Sequence, residues 1–353
     1  MIKAIGLFSG GLDSILAVRM IRDQGIEVDA LHVYTTFESP SSADEAGRKE
    51  SERNPTNPDK ANEKIREHPC ASVSNMAAKL WIGLTTMDVS EDFLEMIRHP
   101  RFGYGSGINP CLDCRITMLR KAKARMETLG AQFVFTGEVL GQRPMTQRRD
   151  TLRKVERESG LEGLLLRPLS AKLLSPTVPE QEGWVDRARL LDLSGRSRKP
   201  QIELARQWGI TDYPQPAGGC FLTDKTLARR IKDVLSHTGT LSKEDLILSK
   251  VGRHFRLSDS VKVIVGRWEA ENDFLERYAE GRWMFQVVGA PGPIALAEGT
   301  LSSEAIRKVA ALVARYSDAK REASVEVRYT YEERERMVEV SPADDARIAP
   351  WRI

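Results

Sequence analysis

The run Ser9-Gly10-Gly11-Leu12-Asp13-Ser14 follows the apolar stretch Ile2 to Phe8 and precedes an amphipathic segment beginning at Ile15. A strand, a glycine turn and a helix in this order predict a phosphate site. Gly10 and Gly11 have no Cβ to block a close anion or to forbid positive φ. Ser9 and Ser14 add hydroxyl donors, and the first helical turn presents unpaired N–H groups and the positive end of its dipole. Leu12, Ile15, Leu16 and Met20 fall on one helical face, so the helix can pack on a sheet while its N-terminus stays open. Gly25 is placed to end it. Glu27 to Tyr34 reads as a second strand, which makes residues 2 to 34 a βαβ unit. Such a unit predicts a doubly wound parallel sheet of α/β class, covered by helices on both faces.

At 353 residues the chain is long enough for two domains, and 41% hydrophobic with 29% charged residues is the balance of a soluble globular protein, not a membrane one. Met1-Ile2-Lys3-Ala4-Ile5 leads straight into the first strand and leaves no room for a signal peptide, so a cytoplasmic location and no membrane partner are expected. Four cysteines, two of them as Cys111-x-x-Cys114, fit a reducing compartment, where such a pair binds metal or does redox work more often than it forms a structural disulfide. The net charge of +3 is too small to require a nucleic-acid partner. Its distribution says more than its sum.

From Ser41 to Glu67 nearly every residue is polar or charged, and Ile65 is the one large aliphatic. This 41–67 insertion reads as a mobile loop over the site or as an inert surface insertion. Cys70 has no partner at a useful spacing. After a strand within Trp81 to Val89, Gly103-Tyr104-Gly105-Ser106-Gly107-Ile108-Asn109-Pro110 leads to Cys111-Leu112-Asp113-Cys114 and a helix from Arg115 to Glu127. Both thiols then stand at a helix start, a position expected to lower a thiol pKa. The strand Gln132 to Phe135 ends in Thr136-Gly137-Glu138-Val139-Leu140-Gly141-Gln142, which should bring Gly137 to the same crevice as Gly10 and Gly11. Arg143, Arg148 and Arg149, followed by Arg153, Lys154 and Arg157, are either phosphate contacts or a solvated helix face. Residues 161 to 200 read as irregular structure. Beyond the helix Ile202 to Trp208, Pro216-Ala217-Gly218-Gly219-Cys220 delivers a third cysteine on a tight turn.

Ser9-Gly10-Gly11-Leu12-Asp13-Ser14 resembles, at every position, the pyrophosphate-loop motif of the N-type ATP pyrophosphatases, a group that includes tRNA thiolation enzymes, tRNA-Ile lysidine synthetase and GMP synthetase. No Gly-Lys-Ser/Thr follows, so it is not a Walker loop. The resemblance implies an adenine nucleotide alpha hydrolase-like fold and cleavage of ATP to AMP and pyrophosphate. Asn109-Pro110-Cys111-x-x-Cys114 resembles the nucleophile region of tRNA 2-thiouridylases. Thr136-Gly137-Glu138-x-Leu140-Gly141-Gln142 resembles a segment of 4-thiouridine synthases. Residues 1 to 222 as a whole look like a tRNA sulfurtransferase of the pyrophosphate-loop class. What this implies is nucleotide binding by Ser9, Gly10, Gly11, Asp13, Ser14 and Gly137, with Asp13 holding Mg²⁺ so that a carboxylate can stand beside phosphates.

The same resemblance implies two roles for the cysteines. Cys111, Cys114 and Cys220 match the count of family members that hold a [4Fe-4S] cluster with one open iron. Alternatively Cys111 or Cys220 carries a persulfide and the other releases the product through a disulfide. Structural zinc would need a fourth ligand, and none of the five histidines has a matching spacing. The chain shows no rhodanese-like extension and no leading RNA-binding segment, so sulfur is expected from an external donor, a cysteine desulfurase or sulfide. A homodimer is left open.

After Asp224 the pattern changes. Residues 223–250 read as a helical linker, and strands around Lys262 to Arg267, Trp283 to Val288, Gly292 to Leu296 and Ala323 to Tyr331, with a helix Ser303 to Tyr316, predict a smaller α+β domain over 251–340. Val265-Gly266-Arg267, Asn272-Asp273, Trp283 and Tyr316-Ser317-Asp318-Ala319-Lys320 resemble the RNA-binding domain of the NFACT proteins of ribosome quality control. Phe285-Gln286 departs from that family, which often has histidine there. Arg267, Asn272 and Lys320 are the candidate RNA contacts carried over. Together the resemblances imply an ATP-dependent tRNA sulfurtransferase, with 4-thiouridine slightly ahead of 2-thiouridine. Two rivals stand beside it: an adenylating enzyme acting on a small molecule, as in thiamine assembly, and an RNA-binding quality-control module with a decayed ATP site.

Overall fold

The computed structural model describes residues 1–35, 70–214 and 220–353; the 41–67 insertion and the turn Pro216 to Gly219 lie outside the described residues. The described chain divides into two compact units, Met1–Thr223 and Asp224–Ile353.

The first unit is built on strands β1 (Lys3–Leu7), β2 (Glu27–Tyr34), β3 (Gly83–Asp88), β4 (Phe133–Thr136) and β5 (Leu165–Leu166), in the order β3-β2-β1-β4-β5. All four pairings are parallel. Alternate residues of these strands feed opposite cores, as the period of a strand requires. Ala4, Val28, Ala30, Phe133 and Phe135 join the core that holds α1 (Leu12–Arg22), α2 (Cys70–Lys79) and α6 (Lys199–Gln207). Ile5, Leu31, Val33 and Val134 join the other, with α4 (Cys111–Leu129) and α5 (Arg149–Ser159), while α3 (Ser90–Arg98) packs beside α4. Each fully buried Leu or Ile contributes ~1.5–3 kcal/mol, so a sheet covered on both faces is stabilised from both. β1 lies between β2 and β4, and the strand order reverses there. At such a switch point the carboxyl ends of the strands open a crevice.

The second unit begins with α7 (Lys225–Thr238) and α8 (Lys243–Ser249), so both expected linker helices belong to it. Its antiparallel sheet runs β11-β10-β8-β9-β7-β6, with β6 (Arg253–Ser258), β7 (Val261–Val265), β8 (Trp283–Val287), β9 (Ala295–Glu298), β10 (Val325–Tyr331) and β11 (Arg334–Val340). Helix α10 (Ser303–Arg315) packs on one face of this sheet. Leu248 of α8 and Leu275 of α9 (Glu269–Glu276) pack with Ile264 and Leu296 in a separate cluster. The unit extends past residue 340, since Ile353 donates its backbone N–H to His254 at 3.0 Å. Among the described residues no helix is long and apolar enough to cross a membrane.

Candidate active site

The loop after β1 turns at Gly10, whose φ of +72° is the left-handed conformation only glycine adopts cheaply. Gly11 caps α1 from an extended conformation, and no side chain closes the helix end. Ser14 Oγ donates to the Gly11 carbonyl at 2.8 Å, and the Ser9 hydroxyl stands 3.4 Å from both Ser14 Oγ and the Gly11 nitrogen. The result is a set of N–H and O–H donors around an open helix N-terminus, the chemistry of a phosphate cradle.

Gly137, just past β4, meets this loop directly. A Cβ there would lie 2.5 Å from the Asp13 carbonyl and 2.6 Å from the Ser14 nitrogen, so only glycine lets the β4 end close on the start of α1. Gln142 Nε2 donates to Asp13 Oδ2 at 3.0 Å. The other carboxylate oxygen, Oδ1, is buried with no hydrogen-bond partner. A buried orphan oxygen beside a phosphate cradle fits a hard cation, and Mg²⁺ is held by one or two carboxylates together with substrate phosphates.

The cysteines gather in the same unit. Cys111 opens α4 and Cys114 lies one turn on, so both thiols stand at the helix start. Gly107 presses on the chain beyond the third cysteine, where an added Cβ would meet the Leu222 carbonyl at 2.2 Å, and Ile108 donates to that carbonyl at 2.9 Å. Asn109, 2% exposed, turns its carboxamide back on the loop: Oδ1 accepts from Gly107 at 3.0 Å and Nδ2 donates to Cys111 Sγ at 2.9 Å. Thr223 donates from its backbone to the Cys220 carbonyl at 2.9 Å, which fixes the turn behind that thiol. None of Cys111, Cys114 and Cys220 is in a disulfide, and all are half-buried. The Cys114 thiol is pushed up to about 12, first by burial and then by the charges of Cys220, Cys111 and Asp113, against the pull of Arg115. The helix start therefore does not lower this thiol as the sequence predicts, because burial outweighs the dipole.

The segment from Gly137 to Met145 connects the two halves of the site. Its Gln142 touches Asp13, and its Met145 sulfur lies 3.9 Å from Asn109 Nδ2. Beneath it is a buried ion network that sequence reading misses. Glu138, 2% exposed, is paired with Arg115 and with Arg167, each at 3.0 Å, and accepts from the Thr136 hydroxyl at 3.2 Å. Arg167 also pairs with Glu156. Burial alone would raise the Glu138 carboxyl, but Arg115 and Arg167 prevail and hold it below the usual range. The sequence signal was a charge close behind an apolar run, at Glu138 two residues past β4 and at Arg167 directly after β5, with Arg115 directly after Cys114.

Among the described residues no group of three or more His, Cys, Asp or Glu side chains is set to hold a metal ion. The three cysteines expected as cluster ligands share one neighbourhood: Cys111 Sγ accepts from Asn109, and Cys111 and Cys220 both lie near enough to act on the Cys114 thiol.

The basic candidates divide. Arg143, Arg148 and Arg149 are exposed in the first unit. In the second, Lys320 is exposed, whereas Arg267 is tied to Glu271 and lies 4.4 Å over the Trp268 ring. Asn272 is half-buried, and its Oδ1 accepts from Ile294 at 3.0 Å and would collide with any Cβ at Gly266. It pins backbone at that turn.

Residues 2–172 match the family described as thiamine biosynthesis protein (ThiI), and residues 252–352 match the NFACT protein RNA binding domain. No curated protein sequence matches the chain. Among solved structures, the C-terminal part of the fibronectin/fibrinogen-binding protein from Streptococcus suis is 15% identical, with 35% of this chain and 58% of that one covered and a TM-score of 0.27. A predicted subunit of tRNA methyltransferase from Methanocaldococcus jannaschii is 13% identical, covering 59% and 76%, with a TM-score of 0.33. A 4-thiouridine synthetase in complex with RNA and bound ATP is 20% identical, covering 63% and 47%, with a TM-score of 0.36. The chain thus spans less than two thirds of the first and third of these structures.

Proposed function

We propose that this chain, which carries a ThiI-family domain over residues 2–172 and an NFACT-type RNA-binding domain over residues 252–352, is an ATP-dependent tRNA sulfurtransferase. Its product is a thiolated uridine, with 4-thiouridine favoured over 2-thiouridine. The observation that carries the reading is the joining of a phosphate cradle to a cysteine cluster by one segment, Gly137 to Met145, at the switch point of a parallel sheet. ATP cleavage and sulfur chemistry need those two features side by side.

The cradle residues Ser9, Gly10, Gly11 and Ser14 bind the ATP phosphates. Mg²⁺, held by Asp13, supplies charge neutralisation on those phosphates when bound. The uridine carbonyl oxygen attacks the α-phosphorus, pyrophosphate leaves, and the base carries an adenylate in place of a poor leaving group. A persulfide on Cys111 or Cys220, loaded by an external donor, then attacks the activated carbon through its outer sulfur, and AMP departs with the oxygen. The remaining cysteine attacks the persulfide's inner sulfur, so a Cys111–Cys220 disulfide forms and the thiocarbonyl is released. A thiol reductant reopens that disulfide before the next turnover. Asn109 Nδ2, already on Cys111 Sγ, stabilises negative charge there. Were a [4Fe-4S] cluster bound, Cys111, Cys114 and Cys220 would hold it and its open iron would supply the sulfur in place of the persulfide.

Cys111→Ser and Cys220→Ser test this assignment. Each is expected to lower thionucleoside formation at least about a hundredfold, the scale of losing a nucleophile, with tRNA affinity by filter binding unchanged. Full activity in both variants would contradict it. A small-molecule sulfur acceptor would instead show AMP release with no requirement for tRNA.

A further inference from the structure

Residues of α5, β5 and the stretch 171–180 line a cavity of about 150 Å³. Arg149, Arg153 and Arg167 line it, with Glu156 and Glu180. The two carboxylates are already spent, Glu156 on Arg167 and Glu180 on Arg187. Arg149 and Arg153 have no ion-pair partner among the described residues. Arg167, 2% exposed, pairs through Nε and Nη1 but leaves Nη2 buried with no acceptor. Helix α5 also begins here, at Arg149, with no side-chain cap on its N-terminus.

Size narrows the ligand. The cavity of about 150 Å³ has the volume of roughly five waters, enough for a phosphate group and below the ~300 Å³ at which sites for whole small molecules begin. We propose that this cavity is a binding site for a single phosphate group, held by Arg149 and Arg153 with the start of α5 and the positive charge of Arg167 at its wall. It is separate from the Ser9 to Ser14 cradle and does not depend on the sulfurtransferase reading. A terminal phosphomonoester of an RNA and free inorganic phosphate present the same chemistry to it.

The test uses the full chain with ATP present to fill the cradle, and titrates inorganic phosphate at constant ionic strength while recording the melting temperature. Arg167 carries buried ion pairs, so the exposed pair is substituted instead, as Arg149→Gln/Arg153→Gln. A saturable rise whose midpoint moves at least tenfold higher in the double variant supports the site. A rise that does not saturate, or one that the double variant leaves unchanged, overturns it. A second arm compares tRNA bearing a 5′-monophosphate with the same tRNA bearing a 5′-hydroxyl. Tenfold weaker binding of the hydroxyl form, with the difference gone in the double variant, makes the RNA end the occupant. Equal binding, with the phosphate response intact, makes free phosphate the occupant. Failure of tRNA to bind at all would count against the functional reading and leaves the phosphate arm to decide the site.

Discussion

Glu138 sits at the end of a buried strand and stays ionised because Arg115 and Arg167 face it from two other elements. Removing its charge would leave Arg167 with Glu156 alone and Arg115 without this carboxylate, a loss toward the lower end of the ~3–5 kcal/mol that breaking a buried pair costs. Glu138→Gln is expected to lower the urea midpoint accordingly, and an unchanged midpoint would show that the network contributes nothing. The sign with pH follows from the depressed carboxyl. Its contribution is complete above the unfolded value near ~4.3 and is lost as pH falls through the lower folded value, so the wild type loses this stability only in acid and the Gln variant lacks that limb. At this scale the cradle residues were legible, because Ser9 to Ser14 act through local backbone geometry that adjacent letters encode. Glu138, Arg115 and Arg167 were not, because their roles depend on contacts between residues far apart in sequence. The Cys114 pKa was misread for the same reason: a helix start is visible in sequence, whereas the burial that overrides it is not.

Two elements, β4 and α1, meet at Gly137, and their contact leaves no room for a methyl group. Gly137→Ala must push the start of α1 away from β4 and disturb the cradle donors, so ATP affinity by calorimetry is expected to fall at least about tenfold, or ~1.4 kcal/mol. Wild-type affinity in this variant would mean that the cradle is not where ATP binds. Strands with continuous apolar runs, such as β1, β2 and β4, could be read directly. β5 could not, being a two-residue strand within a stretch read as irregular. β11 is mostly exposed and alternates Arg334, Glu335 and Arg336, and its hairpin turns at Glu332 and Glu333 with positive φ, where sequence preference would place Gly or Asn. β6 hides its buried His254 and Phe255 between arginines.

Across the whole molecule each unit carries a buried histidine whose pKa is lowered, His32 in the first and His254 in the second. His254 in the second unit is 1% exposed and its pKa is lowered well below the usual value, by burial first and then by Arg230 and Lys262. The unfolded chain takes up a proton near pH ~6.5 that the folded unit refuses, so stability is complete above that pH and declines as pH falls toward the lower folded value. Urea midpoints from pH 8 to 5.5 are expected to fall, and His254→Gln to flatten the fall; a flat wild-type profile would contradict the assignment. The Glu138 window lies at lower pH, which keeps the two effects separable. The central claim is that ATP cleavage and sulfur transfer occur together on tRNA. It is tested most directly by purifying the full chain anaerobically and incubating it with unmodified tRNA, ATP, Mg²⁺, a thiol reductant and a cysteine desulfurase with cysteine as the persulfide donor, followed by mass spectrometry of the nucleosides. The account predicts a thiouridine that requires ATP, with AMP released alongside it. AMP release without any thionucleoside would contradict it.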